Sequence, residues 1–200
     1  MIYVFLTGKP ACGKDTQARL LSKKLKADVI TTSKELDNFF EHYKRKYIFI
    51  HGIKINVQKQ KKIKAQGKLV AFRLVAYIIE KIIKNAIRNK KSLIFAGSPR
   101  SIYEANTYIK IFKKHKNIKY IFIYIKISNK EVFRRAKLRY KLEKREDDRP
   151  SKIKERLKYF KSEILPMIKW LKTQNVLVEV NGENKPEKIS EEILLCIRQL

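Results

Sequence analysis

Two glycines and a lysine near the N-terminus restrict the fold of this chain more than any other feature. The run Gly8-Lys-Pro-Ala-Cys-Gly-Lys14 follows an apolar stretch, residues 2–6, and precedes a segment with helical periodicity, residues 14–25. In a strand–turn–helix of this kind, backbone N–H groups and the positive end of the helix surround a phosphate, and the lysine reaches the terminal phosphates. The sequence therefore predicts a loop that binds ATP or GTP. Its expected contacts are Gly8, Pro10, Ala11, Cys12, Gly13, Lys14, Asp15 and Thr16.

Two residues of this loop leave alternatives open. Asp15 stands where the standard motif has a Ser or Thr that faces Mg²⁺, and the hydroxyl follows one residue later, at Thr16. Either Asp15 faces a hydrated Mg²⁺ or it repels the phosphates beside it. For Cys12, the helix end and Lys14 can lower the thiol pKa and make it reactive, or the side chain only fills space.

Short β runs alternate with helical segments along the whole chain. Strands are predicted at residues 2–6, 29–30, 92–96, 118–127 and 176–180, with Ser128 or Asn129 capping the helix after the fourth strand. This order predicts one α/β domain with a parallel sheet of about five strands flanked by helices. Residues 33–89 are expected to be mostly helical, and the basic tract at residues 59–64 to be a solvated helix face.

The composition limits the partners and the compartment. The formal net charge is +29, with 36 Lys against 12 Arg. Such a charge attracts phosphates and nucleic acids, but a genome rich in A and T also produces a Lys-rich chain. No stretch is long and apolar enough for a membrane span or a leader. Cys12 and Cys196 lack metal or redox spacing, so we expect a cytoplasmic protein.

Five separate segments resemble the adenylate kinase family. They are Gly13-Lys-Asp-Thr-Gln-Ala18, Gly67-Lys-Leu-Val70, Gly97-Ser-Pro-Arg100, Arg145-Glu-Asp-Asp148, and the helical stretch after it with Arg156 and Pro166. The resemblance covers nearly the whole chain and implies the P-loop NTPase fold in a single domain, residues 1–200. It implies a core (1–30, 71–136 and 149–200), a helical acceptor lobe (about 31–70) and a short lid (about 137–148).

The resemblance also implies the roles of individual residues. Lys14, Arg139, Arg145 and Arg156 would act on the transferring phosphates and Arg100 on the acceptor phosphate, with Arg135 over the donor base. The planar fork of Arg binds phosphate oxygens in pairs, which Lys cannot do. The implied acceptor contacts are Thr32, Leu69, Val70, Gly97, Arg100 and Glu104. The resemblance implies Mg²⁺ bound with ATP. The short lid has no Cys or His, so we expect no zinc.

Three departures concern the acceptor side and the metal. Asp37 or Asn38 stands where the family has an arginine for the monophosphate, and Lys34, Arg45 and Arg73 are candidates to replace it. Glu104 replaces a base-reading glutamine; it either shifts preference toward GMP or is a solvent-facing residue at a helix start. Ala96 replaces a strand-end aspartate of the metal shell, a loss for which Asp15 can compensate.

The expected function is transfer of the γ-phosphate of MgATP to a nucleoside monophosphate, with AMP the default and GMP or another base the alternatives. The partners are then small nucleotides, and we expect a monomer without membrane association. A second hypothesis is an ATP-binding protein of the same fold with little kinase activity and a basic surface for RNA or another partner. A third is a P-loop kinase whose acceptor is not a nucleotide.

Overall fold

The computed structural model describes residues 1–200 as alternating strands and helices. The strands are β1 (Ile2–Gly8), β2 (Asp28–Thr31), β3 (Tyr47–Ile50), β4 (Ile53–Asn56), β5 (Leu93–Ala96), β6 (Lys119–Lys126) and β7 (Leu177–Asn181). The helices are α1 (Lys14–Leu25), α2 (Thr32–His42), α3 (Val57–Ala65), α4 (Phe72–Arg88), α5 (Ile102–Phe112), α6 (Asn129–Glu143), α7 (Pro150–Tyr159), α8 (Leu165–Thr173) and α9 (Pro186–Arg198). A 3₁₀ turn, Glu146–Asp148, precedes α7, and a π-helical turn, Phe160–Ile164, joins α7 to α8.

Five strands form one parallel sheet in the order β2-β5-β1-β6-β7. This confirms the predicted α/β class with a parallel sheet of five strands flanked by helices. The predicted cap is also present, since Ser128 Oγ accepts a hydrogen bond from the N–H of Glu131 at 3.2 Å. Ligands of open parallel sheets bind beyond the carboxyl ends of the strands. The loops after β1 and β5 leave the sheet at that edge.

The central strand is buried on both faces, as its uniformly apolar sequence predicts. Phe5 stacks between Phe95 of β5 and Phe122 of β6, with ring centroids 4.5 and 4.7 Å apart. Aromatic pairs at these separations add to the stability that area burial already supplies. The strand that ends in the glycine loop is thereby fixed between its two neighbours.

Between α2 and α3 the structure differs from the prediction. Residues 33–89 are mostly helical, as expected, but β3 and β4 form an antiparallel hairpin within them that the sequence reasoning did not predict. Its two-residue turn has positive φ at His51 (48°) and Gly52 (76°), the geometry that twisted hairpins favour. Ile48 and Ile55 face the core and Phe49 faces solvent. The alternation of isoleucines around a glycine was the sequence signal for this hairpin.

The segment between α6 and α7 is short. Helix α6 ends at Glu143, Lys144 turns the chain in the left-handed region at φ 53°, and the 3₁₀ turn leads directly into α7. No helix of the protein has both the length and the apolar character required to cross a membrane.

Candidate functional site

The glycine loop after β1 is held by close packing. A Cβ atom on Gly8 would lie 2.6 Å from the backbone oxygen of Ile125 and 2.7 Å from Cys12 Sγ, so only glycine fits there. Gly13 has φ 91° and is the residue before α1. That left-handed conformation favours glycine and directs the chain into the helix. The N-terminus of α1 therefore points at the space inside the loop, as the motif predicts.

Cys12 is a packing residue within the loop. Its side chain is 1 % exposed and belongs to the apolar cluster beside β1. Burial raises the pKa of its thiol, and this effect outweighs the lowering by Lys14. The alternative of a lowered pKa and a reactive thiol is therefore wrong, and the space-filling alternative agrees with the structure.

Four cavities adjoin the loop. The central cavity, about 280 Å³, is lined by Gly8, Pro10, Lys14, Gly97, Arg100 and Arg156 among others. The loop cavity, about 270 Å³, is lined by Ala11, Gly13, Lys14, Asp15, Thr16, Arg139, Arg145 and Arg156 among others. The outer cavity, about 430 Å³, is lined by Ala11, Cys12, Gly13, Thr16, Arg135 and Arg139 among others. The lobe cavity, about 490 Å³, lies between the loop and α2 to α4.

All the residues that the sequence assigned to acceptor binding line the lobe cavity. They are Thr32, Leu69, Val70, Gly97, Arg100 and Glu104. Arg100 is held in place because its Nε donates to the carbonyl oxygen of Gly97 at 2.8 Å. Thr32 is buried, and its hydroxyl oxygen has no hydrogen-bond partner. A buried polar atom at a cavity wall without a partner indicates a group that a ligand completes.

The predicted arginines follow one another along these cavities. Arg135 lines the outer cavity, Arg139 the outer and loop cavities, and Arg145 the loop and lobe cavities. Arg156 lines the central, loop and lobe cavities, as Lys14 does. Burial lowers the pKa of Arg156, and the repulsion from Arg100 and Arg139 acts in the same direction. A cationic path therefore connects the glycine loop with the lobe cavity.

Two carboxylates orient the arginines at the outer side of this path. Arg139 donates from Nε and Nη2 to the two oxygens of Asp148, both at 2.6 Å, and the Asp148 side chain is fully buried. Burial alone would raise the Asp148 pKa, but the hydrogen bond and charge of Arg139 give a net lowering. On α6, Arg135 donates to Glu131 at 2.6 Å and to the carbonyl oxygen of Gly182 at 2.8 Å.

Asp15 is exposed on the first turn of α1, and its carboxylate lies 3.8 Å from Lys14 Nζ. It lines both the loop cavity and the lobe cavity. Ala96, at the end of β5, lines the lobe cavity as well. No group of three or more Cys, His, Asp and Glu side chains is arranged to hold a metal ion. Mg²⁺ bound with a nucleotide needs only one or two carboxylates besides phosphate and water, so a single Asp15 fits that arrangement.

Glu104 lies in the first turn of α5, and its side chain is 1 % exposed. The carboxylate accepts hydrogen bonds from Ser98 Oγ at 2.8 Å, the N–H of Arg100 at 3.2 Å and Ser101 Oγ at 3.3 Å. Burial raises the Glu104 pKa to about 7. The solvent-facing alternative is therefore wrong. The base-reading alternative stays a prediction. The Glu104 carboxylate borders the lobe cavity, but Ser98, Arg100 and Ser101 already donate hydrogen bonds to it.

None of the three candidates for the replacement cation lines the lobe cavity. Lys34 and Arg45 are exposed elsewhere, and Arg73 donates to Tyr103 OH at 3.3 Å with its guanidinium over the Tyr103 ring. Besides Lys14, the lysines that line the cavity are Lys64 and Lys68, which the sequence reasoning missed. Lys64 ends the basic tract that was expected to be a solvated helix face. It differs from the other lysines of that tract in lining the lobe cavity, which the sequence does not show.

Comparison with known proteins gives consistent matches along most of the chain. A family model described as adenylate kinase matches residues 6–176. The chain is 29 % identical to an adenylate kinase of Aster yellows witches'-broom phytoplasma over 96 % of this chain and 95 % of the relative. It is 27 % identical to an adenylate kinase of Azobacteroides pseudotrichonymphae over 100 % and 99 % of the two chains, and 29 % identical to one of Mycoplasma capricolum over 90 % and 92 %.

The matched residues include the glycine loop, the lobe cavity and the arginines of α6 and α7. Because the family model covers most of the chain and the predicted sheet and loop are present, this chain belongs to the adenylate kinase family and is a phosphotransferase, a nucleoside monophosphate kinase of the adenylate kinase type.

Proposed function

We propose that the chain transfers the γ-phosphate of MgATP to a nucleoside monophosphate, with AMP as the first acceptor to test. One observation carries this proposal. Lys14, Arg145 and Arg156 line the loop cavity and also the lobe cavity, so the same three cations border both candidate nucleotide sites. Phosphoryl transfer depends on holding two phosphate groups in line and balancing their charge, and cations common to both sites meet that requirement.

The donor nucleotide would lie along the glycine loop. The backbone of Ala11 and Gly13 and the N-terminus of α1 would surround its β-phosphate, with Lys14 at the γ-phosphate. Arg139, fixed by Asp148, would contact the transferring group. The base would extend into the outer cavity beside Arg135.

The acceptor would occupy the lobe cavity. Arg100, fixed by its bond to the Gly97 carbonyl, would bind the monophosphate, and Leu69 and Val70 would contact the base and sugar. The unpartnered hydroxyl of Thr32 would gain a hydrogen bond from or to the acceptor. Because Glu104 is engaged with Ser98 and Ser101, AMP is favoured over GMP as the default acceptor.

The reaction needs no covalent intermediate with the protein. An oxygen of the acceptor monophosphate attacks the γ-phosphorus, and the bond from that phosphorus to the β–γ bridging oxygen breaks. The bridging oxygen leaves with ADP, and the acceptor becomes the second nucleoside diphosphate. Lys14, Arg139, Arg145 and Arg156 would stabilise the charge that develops on the transferring group. Movement of the short segment after α6 over the phosphates would exclude water, which otherwise competes as acceptor.

Asp15 is the residue that would hold Mg²⁺, through water or directly, and the ion would neutralise charge on the phosphates. We expect Asp15→Ala to raise the Mg²⁺ concentration needed for half-maximal turnover by about tenfold. The control is Asp28→Ala, which removes a carboxylate at the opposite end of β2, away from the cavities. Unchanged Mg²⁺ dependence and turnover in Asp15→Ala would refute the role of Asp15.

The test of the proposed function is ADP formation from MgATP by the pure chain, with AMP, GMP, CMP, UMP and dTMP supplied separately. Turnover with AMP above that with the other four supports the proposal, and turnover led by GMP instead assigns base reading to Glu104. No ADP with any of the five, despite ATP binding, overturns the kinase proposal. In that case, salt-sensitive RNA binding would favour the ATP-binding alternative with a basic surface.

A further inference from the structure

Lys64 is the one cation of the acceptor lobe that is held by a carboxylate at the wall of the lobe cavity. It lies in the last turn of α3, and its Nζ donates to Asp37 Oδ1 of α2 at 2.6 Å. Lys64 lines the cavity, whereas Asp37 does not and has a side chain that is 65 % exposed. The ion pair therefore joins an exposed carboxylate to a lysine of the cavity wall.

The geometry leaves this ammonium with unused hydrogen-bonding capacity. An ammonium group carries three N–H donors, and Asp37 accepts one of them. The Lys64 side chain is 20 % exposed and lines the cavity, so two of its three N–H donors are left for a ligand bound there. Thr32, with its unpartnered buried hydroxyl, and Arg100 line the same cavity. Lys64 thus joins Arg100 and the other cations that line this cavity, together with the unpartnered Thr32.

The pairing also bears on the residue that stands in place of the expected arginine. Asp37 carries a charge opposite to that of the expected arginine, so it cannot attract a phosphate itself. Its carboxylate instead accepts a hydrogen bond from Lys64, which lies 27 positions further along the chain. A carboxylate on α2 therefore holds the ammonium of a lysine from α3.

We propose that Lys64, oriented by Asp37, supplies the second cation for the phosphate of the acceptor nucleotide in the lobe cavity, together with Arg100. The inference rests on the proposed function, since it assigns a residue to the acceptor site of that reaction. Lys64 is a binding residue for the acceptor, and Asp37 is a positioning residue that acts through it.

The first experiment compares Lys64→Met with the wild type. Loss of a charged hydrogen bond to phosphate predicts a rise in the acceptor KM of about ten- to a hundredfold, with kcat and the KM for ATP changed less than about threefold. Lys64→Arg keeps the charge and should keep the acceptor KM within about fivefold. Lys61→Met is the matched control, an exposed lysine on the same helix that does not line the cavity.

A second variant tests whether a cation at this point of the cavity wall is what the acceptor requires. Asp37→Arg combined with Lys64→Met returns a cation to α2, within reach of the point that the Lys64 ammonium occupies. We expect this double variant to recover at least about tenfold of the acceptor KM lost in Lys64→Met alone. A merely structural contribution of the ion pair would not be rescued in this way, because the double variant has no ion pair.

Failure of this inference is distinguishable from failure of the proposed function. If the wild type turns over and Lys64→Met has an unchanged acceptor KM, the role of Lys64 is refuted and the kinase proposal stands. If the wild type forms no ADP, calorimetric titration with AMP decides. AMP binding that weakens in Lys64→Met but not in Lys61→Met supports the inference, and absence of AMP binding to the wild type overturns both.

Discussion

Replacement of Glu104 by glutamine is expected to remove a pH dependence of stability that the buried carboxyl imposes. The carboxyl is inaccessible to solvent, and its oxygens accept hydrogen bonds from Ser98, Ser101 and the backbone of Arg100. These donors do not offset the loss of hydration in full. Burial therefore keeps the pKa of Glu104 at about 7, above the ordinary value of 4.5.

The magnitude and its sign follow from linkage between protonation and folding. Between pH 4.5 and about 7 the folded chain keeps a proton at Glu104 that the unfolded chain releases. The folded state is then the better proton binder, so its stability falls as pH rises through this range. A difference of about 2.5 pKa units corresponds to about 3 kcal/mol, fully present below pH 4.5 and lost above pH 7.

The assay is urea unfolding of the wild type and of Glu104→Gln at intervals from pH 4 to pH 8.5. Glutamine has a similar size and no ionisable group, so the unfolding free energy of Glu104→Gln minus that of the wild type should rise with pH by about 3 kcal/mol. Both proteins contain the same other carboxyl groups, so the pH dependence that those groups contribute cancels in the difference between the two unfolding free energies. Glu187→Gln, an exposed residue of α9, is the control and should give a flat difference.

Two outcomes would refute this reasoning. A difference that does not vary with pH would mean that Glu104 titrates alike in the folded and unfolded chains. A difference that falls with pH would mean that the hydrogen bonds from Ser98 and Ser101 outweigh burial and lower the pKa. In either case the carboxyl would be ionised at neutral pH, and its capacity to accept from guanine would return as an explanation of acceptor choice.

Two further changes test the loop and the segment before α7. Asp148→Asn breaks the paired hydrogen bonds to Arg139, so it should reduce kcat and lower the free energy of unfolding in urea by about 2–3 kcal/mol. The control is the exposed Asp147→Asn, which should lower that free energy by less than about 1 kcal/mol. Gly8→Ala should abolish ATP binding measured by calorimetry, because the added Cβ would overlap the backbone oxygen of Ile125. The control is Gly52→Ala, which has open space around the added Cβ and should leave ATP binding unchanged. Equal effects within either pair would contradict the argument.

The sheet and the glycine loop were predictable because their signals are local. The β1 residues are apolar without alternation, which indicates burial on both faces, and the loop is recognisable from the spacing of Gly8, Gly13 and Lys14. The β3–β4 hairpin was missed because each strand has only four residues within a Lys-rich region. Its pattern was present in Ile48, Ile50 and Ile55, but high net charge and helical neighbours favoured a helix.

Other features of the site depend on contacts that no local pattern encodes. A glutamate in a first helical turn normally faces solvent, where it interacts with the helix dipole. Glu104 is buried because Ser98, from the preceding loop, and Tyr108, one turn later, converge on the same point. The burial that raises its pKa is therefore a consequence of the loop after β5 folding back over the start of α5.

The same reasoning applies to Lys64 and Asp37. Seen separately, a lysine in a basic tract and an aspartate on a polar helix are both typical of a solvated surface. The hairpin reverses the chain between α2 and α3, and the last turn of α3 thereby lies against α2 at the lobe cavity. Lys64 and Asp37 form one ion pair, so neither residue can be interpreted without the other. Acceptor affinity in this chain should accordingly depend on the hairpin fold as much as on the residues that touch phosphate.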